Sequence, residues 1–264
     1  MSTAKTITTP PISTAAIGRV MTARDKDRPH GKDFIAGVTE SFMELHGDRY
    51  FGDDGAIIGG VGILDGKPVT VIAIDKGRDT VERQARNFGM PNPEGYRKSL
   101  RLMKQAQKFN RPIICFVDTS GAYPGIEAEA RGQGQAIAEN LSEMSALTVP
   151  IITILTGEGG SGGALALSAS NEVYMLENSV YSVISPEGCA SILFKDSAKA
   201  AEAAEALKLT AEDLLGLGVI EGIIPEGGDD GLMERVKALL IERLAALAKE
   251  KDLAGKRYDR FRKF

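Results

Sequence analysis

Apolar residues in the middle of this chain gather in short continuous runs, whereas towards both ends they recur at spacings of three and four. The first pattern predicts buried strands and the second amphipathic helices. Residues 15–45 read as mostly helical, broken by RPHGKD, and IIGGVGILDGKPVTVIAID (57–75) predicts two strands turning at Asp65-Gly66. KGRDTVERQARNFGMPNPEG (76–95) predicts a glycine-bearing loop, and Tyr96 to Phe109 a helix with Leu102, Ala106 and Phe109 on one face. Strand Ile113–Val117, loop DTSGAYPGIEAEARGQG (118–134) and a helix carrying Ile137, Leu141 and Met144 follow. Ile151–Leu155, Glu172–Leu176 and Val180–Ile184 predict further strands, and two closing helices cover Ala198–Leu217 and Gly231–Lys249. Strands alternating with helices predict an α/β domain with its chemistry in loops at strand ends.

One such loop stands out. GEGGSGGALAL (157–167) leaves the apolar run VPIITIL and enters a short helix. Gly157-x-Gly159-x-x-Gly162 matches a dinucleotide fingerprint, with Glu177 where a ribose-binding acid would stand. The following helix is too short, however, and no two-halved strand order surrounds it. Gly159-x-Ser161-x-Gly163 matches a hydrolase nucleophile elbow, but both histidines, His30 and His46, precede Ser161 by more than a hundred residues. The third reading is an oxyanion hole. Bare backbone N–H groups at a helix start can approach a reacting oxygen without a Cβ intervening. A second bare loop, Thr119 to Gly125, follows the neighbouring strand and could line the same site.

Composition narrows the classes. The 264 residues carry 43% apolar and 26% charged side chains with net charge −4, which gives no general attraction to nucleic acid or anionic membrane. Cys115, Cys189 and the two histidines lack metal-ligand spacing, so no zinc site is expected on this chain. MSTAKTITTPPIST reads as a flexible polar leader over 1–14, with 15–264 as a single domain, and no apolar run approaches a membrane span. A soluble cytoplasmic protein is expected. The tail KEKDLAGKRYDRFRKF has seven Lys or Arg against three acids and reads as a solvated helix end.

Several stretches in one order resemble a known family, the alpha subunit of the carboxyltransferase component of bacterial acetyl-coenzyme A carboxylase. They are FMELHGDRYFGDD (42–54), KGRDT (76–80), RNFGMPNPEGYRKSLRLM (86–103), DTSGAYPGIEAEARGQ (118–133), GEGGSGGALAL (157–167), YSVISPEGCASILFKD (181–196) and GKRYDRF (255–261). The chain departs from that pattern at Ser120, where Pro is expected, at Glu127, where Gly is expected, and at Ala130, where a second acid is expected.

The resemblance implies a crotonase-like ββα superhelix with N-terminal and C-terminal helical additions. It implies transfer of a carboxyl group from carboxybiotin, attached to a biotin carboxyl carrier protein, to acetyl-CoA, forming malonyl-CoA at the first committed step of fatty-acid synthesis. It further implies an α2β2 assembly with a beta subunit that carries zinc, working with biotin carboxylase in the full complex. By the same likeness the Gly162 and Gly163 amides face the biotin ureido oxygen, and Gly159 and Gly160 shape the turn. Gly121 and Ala122 form the opposite wall, with Tyr123 and Pro124 fixing the loop, and Lys76 and Arg78 are candidates to meet an anionic substrate. Two other readings stay open: an acyl-CoA hydratase or isomerase using Glu127, Glu129 or Glu158, and a non-catalytic scaffold for the beta subunit.

Overall fold

A computed structural model describes residues 16–227 and 231–263; the leader lies outside them. In chain order the elements are α1 (Ala16–Ala23), α2 (Gly31–Val38), β1 (Ser41–Glu44), β2 (Ile57–Leu64), β3 (Lys67–Ile74), α3 (Thr80–Ala85) and α4 (Pro93–Lys108). Then come β4 (Ile113–Thr119), α5 (Ile126–Ala130), α6 (Gln133–Ala146), β5 (Ile151–Gly160), α7 (Ser161–Leu165), β6 (Glu172–Leu176) and β7 (Val180–Ser182). The chain closes with α8 (Pro186–Leu193), α9 (Ala200–Leu207), α10 (Ala211–Gly216), β8 (Gly222–Ile224), α11 (Leu232–Leu247) and α12 (Leu253–Phe261).

The sheet runs β1-β2-β3-β4-β5-β6-β8, antiparallel through β3 and parallel from β3 onward, with β7 pairing the end of β5. Asp65 and Gly66 both have positive φ, 50° and 68°, as a two-residue hairpin turn of matching twist requires. Alternation along IICFV then builds two cores. Ile113, Cys115 and Val117 join Leu102 and Met103 of α4 and Met144 of α6 on one face. Ile114 and Phe116 join Phe34 of α2 and Val236 and Leu240 of α11 on the other. Each fully buried aliphatic side chain contributes ~1.5–3 kcal/mol. Burial also pushes the Cys115 thiol up to about 12, so it packs as a small apolar group.

Several expectations change. The segment read as mostly helical ends in β1, an edge strand paired from Ser41↔Ile63 to Glu44↔Gly60. The loop predicted over 76–95 holds α3, whose Asp79 accepts the Glu82 N–H at 2.8 Å, and the start of α4 with Pro93 in its first turn. The long helix over Ala198–Leu217 is two, because Lys208 turns left-handed (φ 51°) and Thr210 caps a new helix.

Most of the basic tail is solvated, Lys249, Lys251, Lys256, Arg262 and Lys263 being exposed, but two of its arginines are tied into the fold. Arg257 of α12 is fully buried and donates to the carbonyls of Met144 (2.7 Å) and Leu147 (2.9 Å), closing the C-terminal end of α6. Burial draws its guanidinium down to about 10. Arg260 pairs with Glu221 at 3.0 Å.

Candidate functional site

The site lies at the C-terminal ends of β4 and β5. Their pairing is regular to Val117↔Leu155 and resumes at Thr119↔Gly159. Opposite the single residue Asp118, β5 therefore carries Thr156, Gly157 and Glu158, a bulge that re-aims its glycine-rich end. On the other edge of β5, where β6 pairs only as far as Leu155, Glu158 to Gly160 pair with Val180 to Ser182 of β7.

The two bare loops meet backbone to backbone. A Cβ on Gly160 would lie 2.2 Å from the Ser120 carbonyl oxygen, and one on Gly163 2.5 Å from the Ala122 nitrogen and 2.8 Å from the Tyr96 hydroxyl. Close approach therefore requires glycine at both positions. Gly162 differs: the nearest atom to its Cβ would be Ile137 Cγ2 at 3.6 Å, ordinary contact. Gly162 is half-buried and opens onto a cavity of about 350 Å³ lined also by Ser161, Leu165, Tyr181, Val183 and Leu214. Because α7 starts at Ser161, the N–H groups of Gly162 and Gly163 have no intrahelical acceptor.

The remaining predicted residues fall around this centre. Gly159 is buried against Leu155 and Tyr181, and Gly121 holds φ 146° with open space on its side-chain side. Ala122 is half-buried, Pro124 exposed, and the Tyr123 N–H is tied to the Pro91 carbonyl at 3.0 Å. Lys76 Nζ lies 2.7 Å from Asp118 Oδ1 and 2.8 Å from Glu158 Oε2, beside the loops. Arg78 sits apart, mostly exposed and paired with Asp33.

Reading residues singly misses Asp118 and Arg24, and for Glu158 the structure supplies the surroundings. Arg24, just past α1, reaches Glu158 (2.7 Å) and Glu187 (2.7 Å) from the far side. Burial opposes ionisation of Glu158, but Lys76 and Arg24 outweigh it and hold the carboxyl below its ordinary range. Burial likewise opposes the charge on Lys76, yet Asp118 and Glu158 raise it above a free lysine. An acidic residue in a G-E-G turn and a lysine just past a strand were the only local signals.

These placements separate the open readings. A hydratase needs a carboxyl that can give and take a proton. Glu158 is paired with Lys76 and Arg24, and Glu127 and Glu129 are exposed, so none of the three is a carboxyl set over the cavity beside Gly162. Neither histidine lines the cavity beside Ser161: His46 pairs with Asp53, and His30 lies in a cavity with Arg78. A five-residue α7 beside a sheet with an antiparallel hairpin edge gives no dinucleotide fold.

Hairpin, parallel sheet and the loops at its strand ends make up a crotonase-like fold. A transcarboxylase 12S structure with methylmalonyl-coenzyme A bound matches with TM-score 0.73 at 18% identity, over 93% of this chain and 47% of that one. The geranyl-CoA carboxylase beta subunit of P. aeruginosa matches with TM-score 0.67 at 16% identity, over 90% of this chain and 46% of that one. This chain thus spans about half the length of either protein. The chain belongs to the acetyl-coenzyme A carboxylase carboxyltransferase family, whose model, described as acetyl co-enzyme A carboxylase carboxyltransferase-like, matches residues 12–264. The acetyl-coenzyme A carboxylase carboxyl transferase subunit alpha of Ruminiclostridium cellulolyticum is 65% identical over 216 residues, 82% of this chain and 83% of that protein. The subunit of the same name from Streptococcus pyogenes serotype M5 is 57% identical, over 92% and 96%. A Clostridium tetani protein named as subunits beta/alpha is 56% identical over 94% of this chain and 44% of its own length.

Proposed function

We propose that this chain supplies one half of a carboxyltransferase site, moving a carboxyl group from carboxybiotin to acetyl-CoA to form malonyl-CoA. The observation that carries the reading is Gly162: neither crowding nor backbone conformation demands a glycine there, yet its helix-start N–H lies beside an open cavity. When bound, carboxybiotin brings the carboxyl group that is transferred and a ureido nitrogen able to accept a proton. The residues present fit such a group. Gly162 leaves room where a side chain would stand, and the buried Tyr96 hydroxyl beside Gly163 has no partner among the described residues.

In this reading the Gly162 and Gly163 amides bind the ureido oxygen, and the partial positive charge of the α7 start favours negative charge there. One such donor is worth ~10²–10³ in rate. Gly121 and Ala122 stand against Gly160 and Gly163, with Tyr123 and Pro124 fixing their loop, while the cavity beside Gly162 is lined instead by Tyr181, Leu214 and Phe261. Arg78 stands too exposed to exclude water and reaches at most an outer phosphate. The thioester ligand sits against a beta subunit of related fold, in an α2β2 assembly served by a biotin carboxyl carrier protein and biotin carboxylase, with zinc on the beta subunit. The Clostridium tetani protein, whose name joins beta and alpha, supports that partnership. No described helix is long and apolar enough to cross a membrane; we place the complex in the cytoplasm.

The test is biotin-dependent decarboxylation of malonyl-CoA by this chain alone, a beta subunit alone, and both mixed. Activity in the mixture only is expected. Activity of this chain alone would overturn the shared site, and a silent mixture would overturn the transfer.

A further inference from the structure

We infer that Lys76 is a positioning residue for the transfer: its ammonium clasps Asp118 and Glu158 together and thereby fixes the bulge that sets the Gly159–Gly163 backbone against the loop after β4. The inference rests on reading these loops as the transfer site and names the side chain that holds them in register.

The bulge creates the need for a clasp. Its three residues leave ladder groups unpaired, and the structure satisfies them from elsewhere. Asp118 Oδ1 accepts the Glu158 N–H at 2.8 Å, and Arg28 donates to the Thr156 carbonyl at 2.9 Å. The Asp118 carboxylate occupies the space of a side chain on Gly157, whose Cβ would stand 2.3 Å from Oδ1. One oxygen of Asp118 thus holds the bulge amide while its charge remains poorly hydrated, with the side chain only 13% exposed.

Lys76 closes the figure. Its Nζ meets the same Asp118 Oδ1 at 2.7 Å and Glu158 Oε2 at 2.8 Å. The bond from the Glu158 N–H to the Asp118 carboxylate and the two ion pairs form a ring spanning β4, β5 and the second residue after β3. Arg24 holds the other Glu158 oxygen at 2.7 Å, so the carboxylate is pinned from both sides. The lysine is itself seated. It follows Asp75, whose carboxylate accepts the Gly77 N–H at 2.8 Å, and Gly89 packs on its stem, where a Cβ would stand 2.5 Å from Lys76 Cγ. An ammonium reserved for a substrate anion would not be held by two carboxylates and exposed by only 13%. A buried pair that loses one member leaves an uncompensated charge, and here that charge would sit inside the bulge presenting the oxyanion donors.

The test uses the reconstituted complex with its beta subunit and follows biotin-dependent malonyl-CoA decarboxylation. Lys76→Met should lower kcat by ~10²-fold, the effect of an ångström of misplacement, while the KM for malonyl-CoA stays within about twofold, as loss of a transition-state-only interaction requires. Lys76→Arg should recover kcat to within about tenfold, because the cation returns in a less fitting shape. Adding Glu158→Gln to Lys76→Met should cause no further loss, since both act through one clasp. A KM raised tenfold or more with kcat intact would overturn the inference in favour of direct substrate contact, and so would wild-type kinetics of Lys76→Met. If Lys76→Met does not assemble, Glu158→Gln alone decides: kcat lowered about tenfold at constant KM supports the clasp, and unchanged kcat overturns it. A silent unaltered complex would instead overturn the transfer reading, and the role given to Lys76 with it.

Discussion

The loops after β4 and β5 face each other and are bare for different reasons. In the β5 loop, Gly160 and Gly163 lack side chains because the opposite backbone already fills that space, at 2.2 and 2.5 Å from where a Cβ would stand. In the β4 loop, Gly121 has empty space on that side and is glycine for its backbone, at φ 146°. Gly162 belongs to neither class. Neither packing nor conformation demands glycine at Gly162, which separates it, as the residue proposed to present its amide, from the supporting glycines of the same turn. Substituting Gly163 is therefore a poor test of chemistry, because any side chain there also pushes the two loops apart.

Four experiments break or sharpen that contrast. The largest effect is expected for Gly160→Ala, which must displace the Ser120 carbonyl. Activity should fall by ~10²-fold or more, and stability by about 1–3 kcal/mol as for an overpacked core, read by malonyl-CoA decarboxylation and thermal unfolding of one sample. Gly162→Ala should also lose ~10²-fold in activity by placing a methyl group where the ligand approaches, yet fold as well as the parent or gain about 0.5 kcal/mol from the alanine. Full activity of that variant would remove Gly162 from the site.

At the opposite end of the sheet, Arg257→Met should lower stability by about 1–3 kcal/mol by orphaning the carbonyls at the end of α6. Turnover per folded complex should stay unchanged; a fall in kcat would show the two ends to be coupled. The smallest effect concerns pH. Glu158 is held below its usual 4.5, so its contribution is complete above that value and is lost as pH falls through the lower, folded-state value. Lys76 is raised above 10.5, so its contribution is complete below that value and is lost as pH rises through the higher one. The stability gap between the parent and the Lys76→Met/Glu158→Gln pair should therefore stay constant across neutral pH and narrow only beyond these limits. A step near neutrality would mean another group titrates in the clasp.

Part of this was legible in the residues. The alternation in IICFV decides which side chains face each core, the Asp65-Gly66 turn decides the hairpin, and the glycine run after VPIITIL announces a close approach, because each rests on local geometry and burial. Asp79 three residues before Glu82 carried the signal for α3, hidden in a stretch that reads as loop. β1 has no alternation in SFME to announce it and exists only because β2 offers an open edge. Whether a tail arginine is solvated or buried depends on where the ends of α6 and β5 lie, more than a hundred residues away.

The same holds at the site. Sequence by itself determined the fold class, the family and the two facing loops, since local spacing and an ordered set of motifs specify them. Only the tertiary structure decided which glycine is free of packing duty and that Lys76 is bound between carboxylates 42 and 82 residues away along the chain. Charges so distant in sequence meet only when β3, β4 and β5 align, and a bulge appears only when two strands of unequal length must share one ladder.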